Sequence, residues 1–338
     1  MFLDIALRDY DLQKVPEFAR QAEATGYDCL WTSETAHDPF LPLAVASTAT
    51  SSLKLGTSIA VAFPRSPMLT AYTAWDLQKS SGGRLILGLG SQVRAHNQRR
   101  FSVKFESPGP KLREVVLALR AIWDCWQQGT PLRFKGEFYN FDLMTPFFNP
   151  GPIEHPKIPI FIAGVNRYMC RMAGEVCDGL HVHPFHTPKY LREYVRPGVS
   201  EGLQVSGRSS QGFTYATAAF VVVGVSESER GKIAEAVRQQ VAFYASTRTY
   251  EPVLAAHGWE GIVPELHEKS LAGDWKAMAR LISDEMLDAI AVSGTYETIG
   301  ARLRERYSGL IDRIALYQPY ESPVDPVRLA AVVKQFKA

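Results

Sequence analysis

Cationic and hydrogen-bonding side chains crowd the segment that follows an apolar run from Gly83 to Gly90. This segment, Ser91 to Arg100, reads SQVRAHNQRR and includes three arginines. Arginine forks match the oxygens of phosphates and carboxylates, and nearby amide and hydroxyl groups add further hydrogen bonds. The pattern predicts that donors placed after this strand hold an anionic ligand.

A second donor-rich turn reads Ala163-Gly164-Val165-Asn166-Arg167, where an apolar run passes directly into a helical pattern. The first N–H groups of a helix have no partner inside the helix, so together with a nearby cation they can bind an anion. An ordinary strand-to-helix turn would contain the same residues. Both interpretations stay open at this point.

Glu34 is a carboxylate just beyond the end of the apolar run YDCLWT. A carboxylate in this place could cap the following helix, but Asp38, directly before Pro39, fills that role better. Glu34 is therefore expected to be free for a ligand.

Small residues interrupt another apolar run at Gly56-Thr57-Ser58-Ile59. A glycine inside a strand usually marks a bulge or a close approach of the backbone to a ligand. Tight packing between neighbouring strands explains the same residues equally well.

His181 and His183 alternate along an apolar run, so both point to the same side of a strand. Metal-dependent hydrolase barrels use such a pair as zinc ligands, which makes a hydrolase the alternative of another class. Those barrels generally carry the pair on the first strand and add later His and Asp ligands, which this sequence lacks at its last two strands. We therefore predict no metal, with one histidine packed inside the protein and His183 lining a pocket.

A repeated unit must position these groups. Helical patterns end in glycine and pass into short β-branched runs, as in ATGYDCLW, SSGGRLILGLG, MAGEVCDGLHVH and YSGLIDRIALYQP. Four further apolar runs bring the strands to eight, and eight strands alternating with helices predict a parallel (β/α)₈ TIM barrel. An open, doubly wound sheet is less favoured because no GxGxxG follows the first strand. Active sites of such barrels lie at the carboxyl ends of the strands.

Two stretches depart from this alternation inside what we interpret as a single domain, residues 1–338. Residues 130–157 are rich in proline, glycine and aromatics, and predict a β-hairpin insertion before strand five, turning at Lys135-Gly136-Glu137. Residues 233–288 have a helical pattern too long for one barrel helix, and predict a helical insertion after strand seven. That insertion is expected to form either a substrate wall or helices for packing and subunit contact.

The composition is that of a soluble globular protein, with 46% hydrophobic and 21% charged residues. The net charge of +2 gives no indication of a nucleic-acid partner. Asp4, Asp9 and Asp11 interrupt the N-terminus where a signal peptide needs an apolar stretch, and the four cysteines form no CxxC pair. These features predict a cytoplasmic protein with no membrane segment and with buried free thiols.

Five segments resemble blocks of one superfamily, the bacterial-luciferase-like flavin and deazaflavin oxidoreductases. They are AEATGYDCLWTSETAHDPF, LGTSIAVAFPRSPM, GRLILGLGSQVRAHNQRRF, IPIFIAGVNRYMCRMAGEVCDGLHVHPF and FYASTRTYEPVLAAHGW. Together they extend over nearly the whole chain in order, and they look most like the subfamily described as coenzyme F420-dependent oxidoreductases. The resemblance implies F420 as the cofactor, with FMN as the alternative because the two ring systems share a shape.

The resemblance also implies which residues bind the cofactor. A bulge in strand three, with a non-proline cis peptide bond from Ser58 to Ile59, would press on the back of the ring. Glu34 matches the acidic position near the pyrimidine side of the ring. Two loops would complete the site: Ser91, Gln92, His96 and Asn97 on the first, Ala163, Gly164, Val165 and Asn166 on the second, with Arg94, Arg99 or Arg100 meeting a phosphate or the oligoglutamate tail.

The chain departs from the family pattern at Thr35. Several deazaflavin dehydrogenases have a histidine after the acid of strand two, whereas this chain has Glu34-Thr35. Glu34, His183 or a tyrosine from an insertion would then donate or accept the proton, so Glu34 and His183 are the candidate catalytic residues. The implied function is hydride transfer between F420 and a small organic substrate, in a homodimer or larger homo-oligomer. An FMN-dependent monooxygenase is the first alternative, and the substrate and the direction of reaction are left open.

Overall fold

The computed structural model describes residues 1–318 and 326–338. At its centre, eight parallel strands form a closed barrel in which each strand bonds to its two neighbours in chain order. The prediction of a (β/α)₈ barrel is confirmed. The strands are β1 (Phe2–Ala6), β2 (Cys29–Thr32), β3 (Lys54–Thr57), β4 (Leu85–Gly90), β5 (Ile160–Gly164), β6 (Gly179–Val182), β7 (Thr214–Val223) and β8 (Arg313–Tyr317).

Helices surround the barrel and cover the outward side chains of the strands. Parallel strands that are buried on both faces are apolar throughout, which explains the continuous apolar runs in the sequence. The helix after β6 consists of three consecutive segments, Pro188–Tyr190, Leu191–Val195 and Arg196–Val205. The other helices next to the barrel are Val15–Thr25, Phe40–Ala49, Pro67–Ser80, Pro108–Gln128, Arg167–Val176, Ile299–Tyr307 and Pro326–Lys337.

Glycines make room for large side chains inside the barrel. A Cβ atom on Gly56 would lie only 2.2 Å from the ring of Trp31, and one on Gly88 only 1.8 Å from the carbonyl oxygen of Thr57. Trp31 packs with Ile86 and Phe161 in the interior. Tight packing between strands therefore explains Gly56, whereas the bulge begins two residues later.

The segment before β5 contains a small antiparallel hairpin, Phe134–Lys135 with Asn140–Phe141, followed by a helical turn at Pro146–Phe148. Glu114 holds the hairpin, because its carboxylate accepts hydrogen bonds from the N–H groups of Glu137 and Phe138 at 2.6 and 2.9 Å.

The chain between β7 and Ile299 is mainly helical and begins its first helix at Glu227, before the predicted start at 233. A short strand, Val292–Gly294, pairs with the end of β7. None of the helices in residues 1–318 and 326–338 has the length and apolar character needed to cross a membrane. The helices between β7 and this strand are Glu227–Ala245, Arg248–Tyr250, Glu251–Ala255, Glu260–Ile262, Val263–Ala272, Trp275–Arg280 and Asp284–Ile290.

Candidate functional site

A cavity of about 640 Å³ opens at the carboxyl ends of β3, β4, β5 and β6. This is the end of a barrel where ligands bind. The structure brings together most of the residues that the sequence predicted for the site. Those that line the cavity are Ser58, Ile59, Ser91, Gln92, Arg94, Ala163, Gly164, Val165, Asn166 and His183.

The first wall of the cavity is the bulge between β3 and the short strand Ala60–Val61. The Ser58–Ile59 peptide bond is cis, as the resemblance implied. The N–H of Ser58 donates to the carbonyl oxygen of Thr32 at 2.6 Å, which fixes the bulge to β2. A Cβ atom on Gly90 would lie 2.7 Å from Ile59, so this glycine lets Ile59 pack against β4.

The second wall is the loop after β4. Asn97 is fully buried and donates from Nδ2 to the carbonyl oxygens of Ser91 and Val93, at 2.8 and 3.1 Å. Asn97 therefore supports the loop from below and does not line the cavity. His96 is exposed and also lies outside the cavity lining. Arg94 is exposed and has its guanidinium carbon 5.3 Å from the centre of the Phe105 ring.

The third wall is the turn from β5 into the helix Arg167–Val176. Asn166 caps this helix, because its Oδ1 accepts a hydrogen bond from the N–H of Met169 at 2.9 Å. Of the two interpretations left open for this turn, the one in which its cation faces a ligand is wrong. The guanidinium of Arg167 binds the carboxylate of Glu201 at 3.1 Å instead, and its backbone N–H donates to the hydroxyl of Tyr194.

The two histidines at the end of β6 have different surroundings. His181 packs inside the barrel, with its ring centre 4.9 Å from that of Trp31 and 5.4 Å from that of Phe161. His183 lines the cavity as predicted, but the two histidines are not fully separated, because the packed His181 also forms part of the cavity wall. Burial lowers the pKa of both histidines to about 3. Within residues 1–318 and 326–338, no three His, Cys, Asp and Glu side chains form a group that could hold a metal ion.

Glu34 is engaged within the protein, so the expectation that it is free for a ligand is wrong. Its carboxylate accepts hydrogen bonds from the N–H of Val61 at 2.7 Å and from Arg65 at 2.7 and 2.8 Å. Arg65 also binds Asp38 at 2.9 Å. Asp38 caps the next helix as predicted, since it accepts from the N–H of Phe40 at 2.8 Å. Glu34 is not among the cavity-lining residues, and its catalytic role stays a prediction.

Sequence reasoning did not identify several lining residues. Tyr250 lies in the segment FYASTRTY of the insertion, and its ring stacks on His183 with a centre-to-centre distance of 4.5 Å. Burial, followed by the nearby Tyr244, raises the pKa of Tyr250 to about 12, so its hydroxyl stays protonated near neutral pH. The sequence analysis had proposed a tyrosine as one candidate for the proton transfer, without specifying which one. The other lining residues that were not predicted for the site are Gly90, Val93, Phe105, Pro108, Met169, His181, Val182, Pro184 and Thr249.

The cavity combines flat apolar surfaces with a small number of polar groups. Ile59, Phe105 and Tyr250 supply the apolar surface, and the hydroxyls of Ser58 and Ser91 can donate or accept hydrogen bonds. Arg94 adds a positive charge. Such a site fits a flat ring that carries an anionic substituent.

Comparison with known proteins identifies the family. The sequence pattern of the luciferase-like monooxygenases matches residues 5–313, and the chain belongs to this family. An uncharacterised protein of Mycobacterium tuberculosis is 48% identical over 303 residues, which cover 90% of this chain and 89% of that protein. A 5,10-methylenetetrahydromethanopterin reductase of Archaeoglobus fulgidus is 26% identical over 318 residues, which cover 92% of this chain and 91% of the reductase.

Among solved structures, the coenzyme F420-dependent tetrahydromethanopterin reductase of Methanopyrus kandleri has the same fold. The two structures superpose with a TM-score of 0.79 over 99% of this chain and 97% of the reductase, at 22% sequence identity. At this level of identity the similarity establishes the barrel fold alone.

Proposed function

We propose that this protein is an oxidoreductase that binds the deazaflavin F420 and exchanges a hydride with a small organic substrate. The observation that carries the proposal is the set of unused polar groups in the cavity. In residues 1–318 and 326–338, the hydroxyls of Ser58 and Ser91, the Nδ2 group of Asn166 and the guanidinium of Arg94 make no hydrogen bond with another protein group. Polar groups left without partners at a cavity wall are available to a ligand.

The residues of the cavity fit a deazaflavin. A volume of about 640 Å³ lies within the range of small-molecule and cofactor sites, roughly 300 to 1,000 Å³. Ile59 and Tyr250 offer apolar surface for the ring, the serine and asparagine donors suit a polar side chain, and Arg94 suits a phosphate. Arg99 and Arg100 lie on the same loop and extend its positive charge.

Relatives support the choice of cofactor. The Methanopyrus kandleri reductase is described as F420-dependent, and the Archaeoglobus fulgidus relative is a reductase of the same kind of substrate. When bound, the cofactor supplies the hydride chemistry, and the protein binds, orients and shields the reactants. The residues of the cavity, including Ser58 and Ile59 of the bulge, would hold the cofactor and exclude water from it.

A titration of the purified protein with F420, FMN and zinc tests the proposal. We expect F420 to bind stoichiometrically and at least about tenfold more tightly than FMN, because F420 has additional anionic groups for the arginine loop; tenfold corresponds to about 1.4 kcal/mol. Increasing salt should reduce the difference, since exposed charges are screened. Equal affinities for F420 and FMN at low salt would contradict the assignment, and stoichiometric zinc would favour the hydrolase.

A further inference from the structure

We propose that His183 is a neutral hydrogen-bond donor that binds a carbonyl oxygen of the molecule held in the cavity. The inference rests on the proposed function for the identity of that molecule. The carbonyl oxygen belongs either to the ring system of the cofactor or to the substrate, which would then be a ketone, an aldehyde or a conjugated carbonyl compound. The role differs from that of a general base, which the sequence had left open for this residue.

The hydrogen bond to Nδ1 determines where the proton of the imidazole lies. The backbone N–H of Phe185 donates to Nδ1 of His183 at 3.1 Å, so Nδ1 must offer its lone pair. A neutral imidazole carries one proton on its two nitrogens. That proton is therefore on Nε2, and the structure assigns His183 the Nε2–H tautomer.

Aromatic packing fixes the direction of the ring. The His183 ring stacks on Tyr250 at 4.5 Å between centres with an angle of 30°, and it meets Tyr244 edge-on at 4.6 Å and 85°. The hydroxyl of Tyr244 shares a hydrogen bond of 2.8 Å with the hydroxyl of Tyr317 at the end of β8. A half-turn of the imidazole would lose the bond to Phe185, so the Nε2–H keeps its direction.

The groups around His183 keep it neutral. Burial, followed by the neighbouring His186, lowers the pKa of His183 to about 3. Nδ1 of His186 lies 2.9 Å from the carbonyl oxygen of His183, which can only accept, so His186 carries its own proton on Nδ1. Tyr244 and Tyr250 are the other titratable groups against the ring, and within the described chain no carboxylate contributes to the pKa of His183.

The donor has no acceptor inside the protein. Nε2 of His183 makes no hydrogen bond with any residue in 1–318 or 326–338, and His183 lines the cavity. Its neighbours along the wall, Val182, Pro184 and the ring of Tyr250, are largely apolar. A donor in such surroundings favours a ligand that places an acceptor opposite it, and a carbonyl oxygen in the plane of the N–H meets that need.

Nitrogen-15 NMR on the whole protein without cofactor tests the protonation state. We expect the His183 ring to remain neutral with its proton on Nε2 from pH 8 to pH 5. A proton on Nδ1, or a titration midpoint near 6.5, would overturn the proposal. This measurement needs no cofactor, so it succeeds or fails independently of the F420 titration.

Binding measurements with variants then locate the acceptor. His183→Phe retains an aromatic ring against Tyr250 but removes the donor, whereas His183→Gln retains a donor. His267→Phe is the matched control, because the side chain of His267 makes no hydrogen bond among the described residues and lies outside the cavity lining. If the acceptor is on the cofactor, His183→Phe should weaken F420 or FMN binding about tenfold, and His183→Gln should restore most of it.

If the acceptor is on the substrate, cofactor affinity should stay unchanged, and KM for carbonyl substrates should rise about tenfold in His183→Phe alone. Unchanged affinity together with unchanged KM would overturn the proposal. Should His183→Phe fail to fold, the NMR measurement and His183→Gln still decide it. A wild-type protein that binds neither F420 nor FMN would refute the proposed function and leave the NMR result standing.

Discussion

The two ends of the barrel each hold a cavity of similar size, about 640 Å³ at the carboxyl ends of the strands and about 540 Å³ at the amino ends. At the amino ends, both arginines of the cavity lining are paired: Arg313 binds Asp4 at 2.7 Å, and Arg120 binds Asp178 at 2.9 Å. At the carboxyl ends, Arg94 has no such partner among the described residues. Cavity volume therefore does not distinguish the two ends of this barrel, whereas the pairing of the arginines that line each cavity does.

Replacing Arg313 with Met is expected to have the largest effect, on stability. The change leaves the carboxyl group of Asp4 buried without its cation, which typically costs about 3 to 5 kcal/mol of unfolding free energy. Burial already raises the pKa of Asp4 to about 6. A folded-state pKa above the unfolded value means that stability falls as pH rises through it, so the loss in the variant should be larger at pH 8 than at pH 5. Urea unfolding at both pH values measures this.

The double variant Asp4→Asn with Arg313→Met is the control, because it removes both charges together. It should be more stable than Arg313→Met alone. F420 affinity of the folded fraction should be unchanged in both variants. A large loss of F420 affinity with little loss of stability in these variants would contradict the distinction between a structural amino end and a ligand-binding carboxyl end.

Glu34→Gln should have the next largest effect on stability. Glu34 lies at the ligand end of the barrel, but its carboxylate binds Arg65, so it resembles the paired charges at the amino end. The change removes the ionic bonds to Arg65 and the charge that accepts from Val61. We expect a loss of about 2 kcal/mol in unfolding free energy, as for a hydrogen bond to a charged group. Measuring stability and F420 turnover side by side separates the outcomes. Unchanged stability with a strongly reduced rate would make Glu34 a catalytic residue.

Arg94→Gln should act on the ligand and leave the protein as stable as before. Arg94 makes no ion pair among the described residues, so its removal should change the unfolding free energy by less than about 0.5 kcal/mol. F420 binding at low salt should weaken about tenfold, or about 1.4 kcal/mol, when a charge-assisted contact is lost. Arg99→Gln has the same charge change on the same loop but lies outside the cavity lining. If both variants weakened F420 binding equally, Arg94 would act through the overall charge of the loop and not through a direct contact with the ligand.

Glu23 provides the smallest effect, which is recognised by how the stability of the protein changes as the pH falls. Burial raises its pKa, but hydrogen bonds donated by Ser51, Ser52 and Leu53, just before β3, outweigh burial and lower the pKa to about 2. A lowered folded-state pKa gives stability that is present above about 4.5, the unfolded value, and is lost as pH falls towards 2. Because Glu23 is partly exposed, we expect its contribution to the unfolding free energy to be about 1 kcal/mol. The melting temperature of Glu23→Gln should fall less steeply with decreasing pH over this range than that of the wild type. The same pH dependence in both proteins would contradict the role given to Glu23.

The sequence predicted the barrel and half of the cavity lining for one physical reason. Parallel strands deliver their carboxyl ends to the same edge, so residues that follow separate apolar runs, such as Ser58, Ser91 and Asn166, must come together. Strand patterns and helix-ending glycines are local signals, and a single sequence contains them.

Long-range pairing is what the sequence could not provide. Glu34 and Arg167 looked available for a ligand because their partners, Arg65 and Glu201, come from elsewhere in the chain. Asn97 looked like a ligand contact because it lies in a donor-rich loop, but the helical turn that begins at His96 directs it inward. These pairings depend on how the elements pack in three dimensions.

The seam between β1 and β8 has a consequence for the order of folding. Phe2, Leu3 and Asp4 pair with Arg313, Ile314 and Ala315, so β1 cannot complete its pairing until β8 has been synthesised. Until then, the growing sheet has two open edges, which can pair with other chains. A nascent chain that ended before Arg313 would keep both edges exposed. Aggregation can therefore compete with folding until β1 and β8 pair and close the barrel.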